Sequence, residues 1–183
     1  MLEVRRSLPH GQTWAVILRR AVPGDEPAVA GVHARSWRAA YRGLLPDTFL
    51  DTLGPDHFEP RYTFGASGPD APETVVADED GEICGFATVA PAADPDVVGA
   101  GELTSIHIDP GWWSRGIGRL LLEDARARMA ARGWTHAVLW MLEGNERADR
   151  FYRRDGWEPD GALRTIAVHG EDVQDVRYGR PLP

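Results

Sequence analysis

The sequence predicts an α/β fold built as one sandwich. Three observations carry this. The 183 residues are long enough to bury one core and short enough to need only one. Alternating β-branched stretches interleave with stretches of helical spacing in the order β-α-α-β-β-β-α-β-α-β-β, about seven strands and four helices. No internal repeat breaks the chain into similar units.

The elements follow in order. Residues 1–15 show no clear period and contain Pro9 and Gly11, so they are expected to be an extension outside the core fold, which then spans 16–183. VILRRA (16–21) is a first strand. In 22–43 a turn leads into a helix with Asp25 as N-cap and Pro27 in the first turn, and Val29, Val32, His33, Ser36, Trp37, Ala40 and Tyr41 recur at helical spacing. Residues 45–64 read as one or two short helices broken at Gly54-Pro55, and 67–73 as a loop. TVVADEDGEICGFATVAPA (74–92) is a hairpin turning at Asp80-Gly81. After a Pro/Gly loop, ELTSIHIDP (102–110) alternates and stops at Pro110. A helix over 116–131 follows, with Ile117, Leu120, Leu121, Ala125 and Met129 as its buried stripe and Gly133 as its stop. THAVLWML (135–142) is apolar enough for a central strand and contains Trp140. NERADRFYRRDG (145–156) is a short helix closed by glycine, and two strands fit 163–170 and 173–182.

Bulk chemistry narrows the function. The formal net charge of −8 lacks the basic footprint that nucleic-acid binding needs, so no nucleic-acid partner is expected, and it gives weak support to a cationic acceptor. No apolar run approaches the ~20 residues of a membrane span, and residues 1–12 lack the apolar segment of a signal peptide, which points to no membrane partner and a cytoplasmic location. Cys84 is the single cysteine, set in a strand pattern as a core thiol. The six histidines form no HxH or HxxxH pair, so no metal is expected.

The stretch WWSRGIGRLLLEDA (112–125) raises the sharpest question, because its glycines can be a plain turn or a phosphate cradle. The first amides of a helix have no intrahelical partner, and the helix dipole favours negative charge there. Gly116 and Gly118 leave the backbone bare, and Arg115 adds a cation. Two common phosphate motifs fail: there is no GK[ST], and a GxGxxG fingerprint would need glycine where this chain has Leu121.

IHIDPGWWSRGIGRLLLEDA resembles the acyl-coenzyme A loop of the GNAT superfamily of N-acetyltransferases, whose pattern is [QR]xxGx[GA] between a strand and a helix. The frame here is Trp113-Ser114-Arg115-Gly116-Ile117-Gly118, with Trp113 in place of the usual Gln or Arg and Arg115 as the natural stand-in. NERADRFYRRDGW resembles the same family's NxxAxxFYxxxGF segment, with Asn145, Ala148, Phe151, Tyr152 and Gly156 in register and Trp157 for Phe. SWRAAYRGLLP (36–46) is a softer match to the first-helix region. The resemblance runs from residue 16 to the end.

It implies an α/β/α sandwich with a mixed, mostly antiparallel sheet, and acetyl transfer from acetyl-CoA to a primary amine by direct attack in a ternary complex. No metal takes part. Tyr152 is the implied acid for the departing thiolate, against the alternative of an amphipathic core tyrosine. The implied coenzyme site takes backbone groups from Ile106 and Ile108 with His107 between them, then Ser114, Arg115, Gly116, Ile117, Gly118 and Arg119, and Asn145, which also reads as an N-cap. Glu102 is the candidate base, directly or through water, and a surface carboxylate is its alternative. His107 is a second candidate. Strict alternation sets Glu102 and His107 on opposite faces, barring a bulge. Trp37 and Tyr41 are either an acceptor wall or core packing. The acceptor is a small-molecule or protein amine, and a homodimer through the C-terminal strands is an arrangement the sequence permits. Two other functions compete: a non-catalytic acyl-CoA-binding or regulatory module on the same fold, and a nucleotide-binding oxidoreductase, disfavoured by Leu121 and by the position of the glycines.

Overall fold

The computed structural model describes residues 2–7 and 13–183, with side chains from Ala15 onward. It is an eight-stranded sheet between two helical layers. In chain order the elements are β1 (Leu2–Ser7), β2 (Thr13–Arg20), α1 (Glu26–Ala40), α2 (Asp47–Thr52), α3 (Pro55–Phe58), β3 (Glu73–Glu79), β4 (Glu82–Pro91), β5 (Gly101–Ile108), α4 (Ile117–Ala131), β6 (His136–Leu142), α5 (Glu146–Arg153), β7 (Glu158–Val168) and β8 (Glu171–Pro181). The sheet order is β1-β2-β3-β4-β5-β6-β8-β7. Every neighbouring pair is antiparallel except β5–β6, which is parallel. No helix among the described residues is long and apolar enough to cross a membrane.

The sheet's two faces follow from strand alternation. One face carries Val16, Leu18, Val75, Ala77, Ala87, Val89, Leu103, Ala137 and Leu139 into a core closed by α4 and α5. The other carries Val76 and Phe86 against Val29 and Val32 of α1, with α2 and α3 packing beside them. The core stripe of α4 is Ile117, Leu121, Leu122, Ala125 and Met129. Leu122 thus replaces the expected Leu120, which only leans on the core from the helix flank. Trp157 is fully buried where the helical segment 146–153 turns back into the sheet.

Three local expectations are revised. Residues 2–7, expected outside the core fold, pair with residues 13–18 of β2 as an edge strand, while 8–12 lie outside the described residues. Their backbone groups extend the ladder without any need for an apolar period of their own. Asp25 stands at the N-cap position of α1, yet its carboxylate makes no capping bond there; it pairs with Arg19 and accepts from the Val22 N–H. The penultimate strand begins at Glu158, five residues early, because a register shift between Pro159 and Leu163 hides its periodicity. Cys84 is a buried core thiol donating to the Ala77 carbonyl, and burial pushes its pKa up to about 12.

Candidate active site

The sheet splits between its two parallel strands. β5 and β6 pair only at Gly101–Ala137 and Glu102–Val138, then separate towards their C-terminal ends. The cause lies on the other edge of β5. Thr88 of β4 pairs with Ser105 and Val89 with Leu103, so Thr104 is an extra residue, and its hydroxyl donates to the Thr88 carbonyl. Such a bulge bends the strand that carries it.

The split exposes a strip of backbone. The Asp109 N–H bonds the Cys84 carbonyl, which sets the phase of the β4–β5 ladder: residues 105, 107 and 109 bond β4. The N–H and C=O groups of Ile106 and Ile108 therefore face the opening. One of these is taken, since the Trp113 indole N–H donates to the Ile108 carbonyl at 2.9 Å. The Ile106 amide and carbonyl and the Ile108 amide remain for an extended ligand to pair with as an added strand would. His107 departs from its expected place among these groups: its backbone bonds are spent on Phe86 of β4.

Beyond the strand, residues 113–118 form a bare loop. Ser114 (φ 64°) and Gly116 (φ 86°, ψ 0°) are both left-handed and bracket Arg115. The first helical bond of α4 is Leu120 N–H to Gly116 C=O, and no side chain caps the helix. The amides of Ile117, Gly118 and Arg119 are thus free at the positive end of the dipole. A Cβ on Gly118 would stand 3.2 Å from Ile108 and 3.4 Å from Phe151, so glycine lets the first turn press onto β5 and α5.

The cations here come from two elements. The Arg115 guanidinium lies 4.4 Å over the Trp112 ring, and that of Arg147 lies 3.7 Å over Trp113. Among the described residues, Arg115, Arg119 and Arg147 form no ion pair, although most arginines of the chain do. Arg147 was missed by sequence reasoning. The available signal was its place in the first turn of α5, two residues after Asn145, which puts it at the mouth of the split.

Asn145 caps α5, its Oδ1 accepting from the Ala148 N–H at 3.1 Å. Tyr152 follows two turns on, 8% exposed, and its hydroxyl has no hydrogen-bond partner among the described residues. Burial raises its pKa, and the nearby Tyr41 phenol adds to the effect. Tyr41, reaching in from the end of α1, is likewise pushed up to about 12 by burial, with Asp175 adding to it. The two phenols, one from each helical layer, are thus close enough for one to influence the other's titration. Trp37 packs edge-on to Tyr41 at 4.8 Å within the α1–α3 cluster, and its indole N–H is buried without a partner among the described residues.

The bulge also overturns the expected facing of Glu102 and His107. Glu102 aligns with Ala90 and His107 with Phe86, both even positions of β4, so the two side chains share the α1 face. They do different things there. His107 is stacked on His33 at 4.1 Å and meets the Ser36 hydroxyl at 3.3 Å; burial lowers its pKa to about 3, which removes the basicity that recommended it. Glu102 stands at the last paired position before the strands part. Burial holds its carboxyl above the usual carboxylate range; Asp94 adds to this, while the Ala93 N–H and Arg164 oppose it.

Known proteins resemble this chain in sequence and in fold. Residues 35–157 match the acetyltransferase (GNAT) family. The chain is 29% identical to the uncharacterised N-acetyltransferase YuaI of Bacillus subtilis, over 91% of this chain and 93% of the relative. It is 30% identical to a streptothricin acetyltransferase of Streptomyces lavendulae, over 81% and 83%. Its fold superposes on the PaiA N-acetyltransferase of Thermoplasma acidophilum in complex with coenzyme A, with a TM-score of 0.66 at 17% identity, covering 91% of this chain and 98% of the other. The split sheet, the bare loop before α4 and the family match over most of the chain lead to one conclusion: this protein belongs to the GNAT acetyltransferase family.

Proposed function

We propose that the protein is an acetyl-CoA-dependent N-acetyltransferase that moves the acetyl group to a primary amine by direct attack while both substrates are bound. The observation that carries this reading is the strip of unpaired backbone at Ile106 and Ile108 leading to the uncapped amides of α4; Glu102, where β5 and β6 part, and the buried Tyr152 are the base and acid we assign to it. The pantetheine arm would pair with the strip. The pyrophosphate would take the amides of Ile117, Gly118 and Arg119, with Ser114 and Gly116 shaping the turn and Arg115 and Arg147 supplying cations.

The chemistry then divides among few residues. An alkylamine is almost wholly protonated at neutral pH, so a base must take one proton. Glu102 does this, directly or through water, and its raised pKa makes it a better base than an ordinary carboxylate. The amine lone pair attacks the thioester carbonyl, the tetrahedral intermediate collapses, the C–S bond breaks and the amide forms. The departing thiolate takes its proton from Tyr152, which burial keeps protonated throughout the neutral range, and the second proton of the ammonium, released from nitrogen as the amide forms, restores the phenol. Asn145 acts as the cap that fixes the start of α5 and hence the placement of Tyr152. Trp37 and Tyr41 form the wall opposite.

The test is thiol release from acetyl-CoA with a panel of amines. Amine-dependent release is expected, and Tyr152→Phe should lower kcat while leaving the KM for acetyl-CoA near wild type. Tight coenzyme binding with no release for any amine would instead identify an acyl-CoA-binding module.

A further inference from the structure

A cavity of about 440 Å³ opens on the α1 face of the sheet, beneath the segment 61–66. Thr88, Thr104 and Ser105 form its floor, so it reaches the bulge of β5 where the strands begin to part. His33 forms a wall. Its Nδ1 contacts the Tyr62 hydroxyl at 2.6 Å, and its buried Nε2 has no partner among the described residues.

The charge of the lining is out of keeping with the chain. In a protein of net charge −8, no carboxylate among the described residues lines the cavity, while Arg20 and Arg61 both do. Neither arginine forms an ion pair among the described residues. Arg20 donates to the Ala66 carbonyl at 3.3 Å, and Arg61 lies over the Phe58 ring at 5.4 Å. Glu73, a carboxylate that feels the charge of Arg20, is already held by Arg128 and Arg132. On the far side of Tyr62-Thr63 the pattern inverts: a shallow groove is lined by Glu26, Asp56 and Glu59 and by no arginine, and it does not touch β5. Charges are thus sorted by sign across one two-residue segment, with the cations on the side that leads to the split.

We infer that this cavity receives the acceptor, and that the acceptor is a small amine bearing a carboxylate, which Arg20 and Arg61 bind while the amine points to the bulge of β5. The inference rests on the acetyl-transfer reading and narrows its acceptor. Two unpaired guanidiniums attract an anion and repel a second ammonium, so diamines and polyamines are poor acceptors despite the acidic surface. A cavity of this size admits one small molecule.

The experiment compares matched acceptors on the full chain: amino acids, their carboxamides and diamines of similar length. The carboxylate form should exceed its carboxamide in kcat/KM by roughly tenfold or more, and the ratio should fall towards one in Arg20→Ala/Arg61→Ala and at high salt. Diamines or carboxamides used as well as the acids would overturn the inference while leaving acetyl transfer intact. If coenzyme binds and no amine is acetylated, the acetyl-transfer reading fails instead. Calorimetry on the coenzyme-loaded protein then decides the cavity: equal binding of acids and carboxamides overturns it, and preferential binding of the acids supports it. The wild-type ratio stands whether or not the double variant folds.

Discussion

Gly116→Ala probes the coenzyme loop with a built-in control at the other end of the same helix. Gly116 adopts φ 86° immediately before α4, and Gly133 adopts φ 82° just after it, with open space around a Cβ at Gly133. A left-handed L-residue costs about 1–2 kcal/mol. For a chain of this size, each kcal/mol lowers Tm by about 2–4 °C. Gly116→Ala and Gly133→Ala should therefore both melt about 2–8 °C below wild type. They should part in coenzyme affinity. If the loop relieves the strain at residue 116, the amides of Ile117 and Gly118 move; losing one charge-assisted bond, worth about 1.5–3 kcal/mol, weakens binding on the order of 10- to 100-fold. Gly133 lies at the far end of the 15-residue helix and should bind coenzyme as wild type does. The assay is calorimetric titration with coenzyme A beside a thermal melt. Equal affinity in the two variants, at equal loss of Tm, would refute the assignment of the cradle.

Three further outcomes are expected. Arg147→Ala should weaken coenzyme binding by roughly two- to fivefold at low salt, the difference shrinking at high salt; a salt-independent loss would mean that Arg147 acts only by packing on Trp113. Glu102→Gln should lower kcat/KM about 100-fold and remove the acid limb of its pH profile, which in wild type lies above the ordinary carboxylate value of about 4.3 because burial raises this pKa; a superimposable profile excludes Glu102 as base. His107→Phe should flatten acid destabilisation. The folded imidazole resists protonation down to about pH 3 whereas the unfolded one gains its proton near pH 6.5, so falling pH favours the unfolded chain. Between pH 7 and pH 5 wild type should lose about 2 kcal/mol more than the variant in urea titrations, with His33 common to both.

The regular parts of this fold were legible because they obey local rules. Asp80-Gly81 turned a hairpin as its residue types require, with Asp80 at φ 50° and Gly81 at φ 90°. The helix expected over 116–131 runs from Ile117 to Ala131, between two left-handed glycines. The frames around Gly116 and Tyr152 led to the family for the same reason. The losses came where one strand answers to another. The ladder at residues 2–7 is set by β2. The bulge at Thr104 is a mismatch in count between β4 and β5, invisible in either strand alone, and it moved Glu102 and His107 to one face. Trp113 looked like the loss of a polar contact. Its indole instead satisfies the Ile108 carbonyl and carries Arg147 on its face, a partnership across 34 positions that no local pattern announces.

The extra residue at Thr104 also sets which kinds of change β5 can accept. Most of what the strand would offer a coenzyme is main chain, so exchanges of one side chain for another leave that strip in place. A change of length does not. Removing Thr104 would leave Leu103 opposite Val89 and Ser105 opposite Thr88 in plain alternation, so every side chain would keep its face, but the bend that parts β5 from β6 would go and the strip would close against β6. The strand is thus permissive to substitution and intolerant of deletion, and its length carries more of the active-site design than its letters do.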